Sequence, residues 1–168
     1  MNQEPERYSF QPDSKDGETL LRWWSGLRER RGPRAELRRC RDVTDILLTS
    51  EFYHALRATG AVGRVAPERF AAVVGLLAHV ESPEPRFPFA KQLARTEGTT
   101  QPPVSGLRFR RLLAISEPDQ LYLPILRLLR LVGRTANIHD LSQGVYWWNE
   151  RTRKTWARHY YETAPDQD

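Results

Sequence analysis

Apolar residues along this chain recur at the spacing of one helix face. Leu20, Trp23, Trp24 and Leu27 stand at i, i+3, i+4 and i+7, and Phe70, Val73, Val74 and Leu77 repeat the pattern. No segment alternates apolar and polar residues over a strand's length, so the pattern predicts an all-α fold with no β-sheet. Gly32-Pro33 interrupts the first helix, and Pro33 suits the first position of a short helix through "AELRRC". Ser50 is the expected N-cap of a helix closed by Gly60, and Pro67-Glu68 open the next, which ends before "ESPEPRFPF". A short helix near residues 90–95 leads into "TEGTTQPPVSG", the longest loop. Its residues 97–106 read as a linker between two small helical bundles packed together, 19–96 and 107–161.

In the second bundle Ser105 can cap a helix through "GLRFRRLLAI", with Phe109, Leu112 and Leu113 on one stripe and Arg108, Arg110 and Arg111 around the rest. Ser116-Glu117-Pro118-Asp119 predicts the start of a helix that runs to Gly133 and kinks at Pro124. On it Leu121, Ile125, Leu128, Leu129 and Val132 form one face, and Arg127, Arg130 and Arg134 lie opposite. The last helix repeats that basic spacing with Arg151, Lys154 and Arg158, leaving Trp156 and Tyr160 on the other side. Residues 1–18 read as an acidic, flexible N-terminal extension and 162–168 as an acidic tail.

Charge changes the picture. The chain's net charge is +5, but 24 of its 26 bases and only 13 of its 21 acids lie in residues 19–161, which therefore carry +11. A body this basic concentrates polyanions, phosphate backbones first among them. All but three of the bases are arginine, which binds phosphate bidentately and stacks on exposed bases. Between Arg108 and Arg134 six arginines face only Glu117 and Asp119, both at a predicted helix start where the dipole favours them. A merely solvated face mixes signs, so the shortage of acids points to a bound polyanion.

Other chemistry finds little support. Cys40, the single cysteine, allows no internal disulfide or thiolate metal site and reads as a small buried hydrophobe. The longest apolar run, Phe70 to Leu77, falls well short of the roughly 20 residues of a membrane span. The polar N-terminus lacks the pattern of a secretory signal, and a cytoplasmic protein is expected. His54, His79, the pair His139-Asp140 and Asp166 follow the order of an HD phosphohydrolase. However, His139-Asp140 reads as the first turn of a helix and Asp166 lies in the tail, so no catalytic residue, metal or cofactor is assigned. Trp23-Trp24 and Trp147-Trp148 join apolar stripes and read as core rather than base-stacking platforms. "GAVG" at 60–63 lacks the strands of a KH phosphate clamp. A helix-turn-helix regulator is the alternative reading of residues 125–148, but its would-be recognition helix "IHDLSQGVYWW" is poor in Arg, Lys and Asn for base edges.

With these residues in place a family pattern becomes visible. "LRR" at 37–39, "FYHAL" at 52–56, "SGLRFRRLL" at 105–113, "ILRLLR" at 125–130 and "DLSQGVYWWNERTRKTW" at 140–156 resemble, in order and spacing, the small subunit (CasB family) of the type I-E CRISPR Cascade complex. The resemblance runs from about Leu20 to Glu162; the acidic extension and "ESPEPRFPF" have no counterpart in it. It implies an all-α, non-enzymatic subunit that acts as a pair of copies inside an RNA-guided surveillance complex. Such a subunit contacts its neighbours along the guide RNA and offers a basic surface to the displaced single strand of target DNA. By position, Arg38 and Arg39 match the family's early arginine pair, Arg108, Arg110 and Arg111 its central cluster, and Arg127 and Arg130 those of its later helix. Charge geometry extends the candidate nucleic-acid-binding set to Arg134, Arg151, Lys154 and Arg158.

Overall fold

A computed structural model describes residues 6–166. Its elements, in chain order, are α1 (Lys15–Glu29), α2 (Arg31–Arg39), α3 (Val43–Leu47), α4 (Ser50–Ala58), α5 (Pro67–Ala78), β1 (Ser82–Pro83), α6 (Phe89–Ala94), α7 (Gly106–Leu113), a 3₁₀ turn (Pro118–Gln120), α8 (Tyr122–Leu131), β2 (Thr135–Ala136), α9 (Ile138–Tyr146) and α10 (Glu150–Thr163). Short polar side chains start most of the helices. Ser14, Asp42, Thr49, Ser105, Asn137 and Asn149 each accept a hydrogen bond from a backbone N–H of the first turn, satisfying a donor that the helix itself cannot. Thr49 takes the cap expected of Ser50, which becomes the first helical residue.

The centre is α5. Nine of its 12 residues, Phe70 to Ala78 without a break, are buried, so the helix has no solvent face and has to be covered from all sides. Helices α1, α2, α3, α4, α8 and α9 pack on it, and α10 packs on α6. Phe89 meets Trp156 at a centroid distance of 5.6 Å across the α6–α10 contact. Phe109 stacks on Tyr160 at 4.0 Å and 11°, which fixes α7 against α10. Tyr160 Oη donates to the Val104 carbonyl at 2.5 Å. Trp24 Nε1 donates to the Leu77 carbonyl and Trp148 Nε1 to that of Ile115, so these indoles are core elements.

Two expectations need correction, the absence of a sheet and the kink at Pro124. The protein is mostly helical, but β1 and β2 form a short parallel pair, Ser82 beside Thr135 and Pro83 beside Ala136. Two residues per strand are too few to show any alternation, which is why the sequence gives no sign of them. The buried residues on both sides of the 97–106 loop belong to one continuous core, and Val104 within that loop is itself fully buried. The described part of the N-terminal extension is packed, not free: Tyr8 and Phe10 are buried, Tyr8 Oη donates to the Thr59 carbonyl, and Arg64 holds Asp16 with two hydrogen bonds of 2.7 and 2.8 Å. Residues 1–5 of that extension and 167–168 of the tail lie outside the described residues. Finally, the Pro118 turn is a separate 3₁₀ element, so Pro124 falls in the first turn of α8, where its missing N–H costs nothing and no kink follows.

Gly144 on α9 packs against the Trp156 indole of α10. A Cβ there would lie 2.5 Å from Cζ2 of the Trp156 indole, whereas one at Gly26 on α1 would meet nothing within 4 Å. Gly144→Ala is expected to cost about 1–3 kcal/mol by overpacking. Gly26→Ala should stabilise by about 0.5–1 kcal/mol through helix propensity alone. Urea denaturation of the two variants checks both signs.

Candidate nucleic-acid interface

Helix α7 divides its circumference cleanly. Ser105 accepts from the Arg108 N–H at 3.3 Å and sets the helix phase, which turns Phe109 and Leu112 inward and leaves Arg108, Arg110 and Arg111 exposed. On the neighbouring α8, Ile125, Leu126, Leu128 and Leu129 are buried while Arg127 and Arg130 are exposed. Between the two helices runs a groove of about 430 Å³, walled by Arg108, Arg111 and Arg127 over Leu112, Leu128 and Leu131. None of these five arginines has a carboxylate within ion-pair distance among the described residues. The ion pairs of the described residues involve other arginines, as in Arg30–Glu51, Arg64–Asp16 and Arg86–Glu84.

A second group of arginines closes around the C-terminal end of α5. Arg38 Nε donates to the Ala78 carbonyl at 2.9 Å and Arg34 Nε reaches the same oxygen at 3.4 Å. Both guanidiniums come from α2, and the charges of Arg130 on α8 and of Arg134 also act on His79. His79 is 3% exposed, and neither ring nitrogen has a hydrogen-bond partner. Burial, then the charges of Arg38, Arg134, Arg130 and Arg34, pull its pKa down to about 4, so the imidazole is neutral at physiological pH.

The structure therefore rearranges the expected ridges. Arg134 does not continue α8. It follows Gly133 into a left-handed turn with φ 58°, and its carbonyl accepts from the N–H of Glu81 at 2.8 Å beside the strand pair. Arg127 joins the α7 groove, whereas Arg130 is exposed on α8 outside it and its charge also acts on His79. Arg38 and Arg39 also separate: Arg39 is exposed and is not among the arginines acting on His79. On α10, Arg151 and Arg158 are exposed, but Lys154 pairs with Glu150 at 2.7 Å on an open surface. Arg34 escaped the sequence reading, although its i, i+4 spacing to Arg38 was there to find. Arg153 escaped it too; it donates to the Leu113 carbonyl at 2.7 Å and ties α10 to the end of α7.

Other candidate chemistry disperses. His139 Nε2 lies 3.0 Å from the Gly17 carbonyl oxygen, away from the arginines around His79. Among the described residues no three His, Cys, Asp or Glu side chains are grouped to hold a metal ion. Six of the nine residues of α9 are buried, which leaves a would-be recognition helix no free face for a DNA groove. No described helix is long and apolar enough to cross a membrane.

These features define a mostly helical protein with arginine clusters on two parts of its surface. The family model for CRISPR-associated protein Cse2 matches residues 33–161, most of the chain. The chain belongs to that family, the CasB-type small subunit of type I-E Cascade, and is a Cascade subunit of CRISPR defence. No curated protein and no solved structure matches it.

His79 makes stability depend on pH. Its folded pKa of about 4 lies below the ordinary value of 6.5, so the unfolded chain takes up the proton first as pH falls. The stability associated with the neutral ring is complete above about pH 6.5 and is lost progressively towards pH 4. Urea denaturation at pH 7 and pH 4 should show the wild type losing a few kcal/mol more than His79→Leu; parallel losses would remove His79 from the pH response.

Proposed function

We propose that the protein is a non-catalytic subunit that stabilises the R-loop of Cascade by holding the displaced DNA strand on the α7–α8 face. One observation carries this reading. Arg108, Arg110, Arg111, Arg127 and Arg130 are all exposed on two adjoining helices, with no acid paired to any of them among the described residues. Family membership supplies the setting: a complex in which a guide RNA pairs with one strand of a DNA duplex and leaves the other unpaired. Exchange of a DNA duplex for a guide–target duplex is nearly balanced, so a few kcal/mol of backbone contact decides its direction. Arginines on helix faces bind phosphates without reading bases, as a strand of arbitrary sequence requires.

The groove between α7 and α8 suits a single strand better than a duplex. Its walls are cationic and its floor is apolar, with Leu131 42% exposed at one end. An unpaired base can cover that floor while its phosphates meet the arginines. Arg39, Arg151 and Arg158, exposed elsewhere on the surface, are then available to neighbouring subunits along the guide RNA and to a second copy of the chain. Lys154 is committed to Glu150 only loosely, since an exposed pair of this kind contributes little.

The test removes the charge and keeps the fold. Arg108, Arg111, Arg127 and Arg130 replaced by Ala should leave denaturation within about 0.5 kcal/mol of wild type, because exposed side chains without partners are removed. In reconstituted Cascade the R-loop should dissociate faster, and the slope of log affinity against log salt should become shallower by roughly 3, near 0.7 for each lost phosphate contact. Unchanged R-loop lifetime and salt slope would contradict the assignment.

A further inference from the structure

A cavity of about 760 Å³ lies between α3, the start of α5, the 3₁₀ turn and α8, and its charge runs against that of the chain. Residues 19–161 carry +11, yet Asp42, Glu68, Glu117 and Asp119 line this cavity against only Arg69 and Arg127. All four acids are exposed, and none pairs with a base among the described residues. An acid at a helix start offsets that helix's dipole, which explains these residues one at a time. It does not explain why three helix starts share one hollow that so few of the surplus bases reach. Leu47, Val145 and Leu123, the last 44% exposed, make part of the lining apolar. Tyr122 lines the cavity too, and its hydroxyl has no hydrogen-bond partner. Pro124 and Arg127 border both this cavity and the α7–α8 groove, so α8 stands between two hollows of opposite sign.

We infer that this cavity docks a basic, amphipathic segment of a different protein chain of the complex, and not nucleic acid. Charge complementarity selects the occupant. Four unpaired carboxylates repel a phosphate backbone and attract lysine and arginine side chains. A single metal ion is a poor match, because no three His, Cys, Asp or Glu side chains among the described residues are grouped to hold one. Negative charge spread over three elements around an apolar lining fits a segment that seats a large apolar side chain among Leu47, Leu123 and Val145 and keeps its cations at the edge. Apolar contact supplies the anchor in such an arrangement, and the rim charges set the choice of partner and the rate of encounter. The two sides of α8 then sort their ligands by sign: phosphate is drawn to the α7–α8 groove and kept out of the acidic cavity. This docking site stands whether or not the α7–α8 face holds the displaced strand.

The test uses Cascade assembled without target DNA, so that the R-loop does not enter the result. A photo-crosslinking amino acid at Leu123 should join the full-length chain to a different polypeptide of the complex, at a segment where Lys or Arg stands beside a large apolar residue. Glu68→Gln, Glu117→Gln and Asp119→Asn together should weaken the subunit's affinity for the rest of the complex at least tenfold at low salt, with the urea midpoint close to that of wild type. Raising the salt should narrow that difference, because the attraction removed by the three changes is the one that salt screens. A loss confined to folding would instead appear in the urea midpoint and persist at high salt. Arg108→Ala with Arg111→Ala should leave the crosslink from position 123 intact even if R-loop stability is lost, which keeps this site distinct from the strand-holding face. Crosslinks from position 123 to nucleic acid, to a second copy of this chain or to nothing would overturn the site. An affinity unchanged in the triple variant, or equally weak at all salt concentrations, would overturn it as well.

Discussion

Nine consecutive residues of α5 have to be kept from water on every side, and the rest of the molecule is arranged around that requirement. A helix apolar all round is stable in water only at the centre of other elements. That demand brings α1, α2, α3, α4, α8 and α9 against it, and it draws Tyr8 and Phe10 of the N-terminal segment into the same core. It also explains why α9 cannot act as a reading helix, since most of its surface is spent on packing. The helices farther from the centre need only one apolar stripe. Phe109 and Leu112 anchor α7, which leaves three of its eight residues free to be arginine.

Charge follows from the same geometry. Where acids and arginines lie near the core they form close pairs, Arg30 with the buried Glu51 and Arg64 with Asp16. Pairing of this kind, partly shielded from solvent, contributes more than exposed pairs do. The exposed arginines of the α7–α8 face have no such partner among the described residues. The two regions differ in character. The α7–α8 arginines are exposed along a groove, as suits contact with a flexible strand. Near His79, Arg34 and Arg38 are tethered by the Ala78 carbonyl, and Arg134 sits in a left-handed turn.

Much of the fold was legible because helical periodicity is strong over long segments. The stripes through Trp23 and Trp24 and through Phe70 and Leu77 lie on α1 and α5, and Ser105 caps α7 as its spacing implies. Shorter features were not legible. The β1–β2 pair is too short to carry a pattern, and α8 ends at Leu131, before the left-handed Gly133 and Arg134, so a ridge that looks continuous on a helical wheel is broken in space. The aromatic residues of the N-terminal segment were outweighed by the acids around them, although Tyr8 and Phe10 are what pack it. The exposed arginines of α7 could be read from spacing alone. The cluster at His79 could not, because it depends on α2, α5 and α8 meeting, a tertiary fact with no local signal beyond the Arg34–Arg38 spacing.

The central claim is that the α7–α8 groove meets the displaced strand, and proximity tests it most directly. A photo-crosslinking amino acid would be placed at Leu131, 42% exposed beside the groove, and separately at Leu48, 80% exposed on another part of the surface, in Cascade assembled on target DNA. The account predicts crosslinks from position 131 to the displaced strand, formed only once the guide has paired with its target, and none to that strand from position 48. Crosslinks from position 131 to protein alone, or to DNA irrespective of R-loop formation, would contradict it.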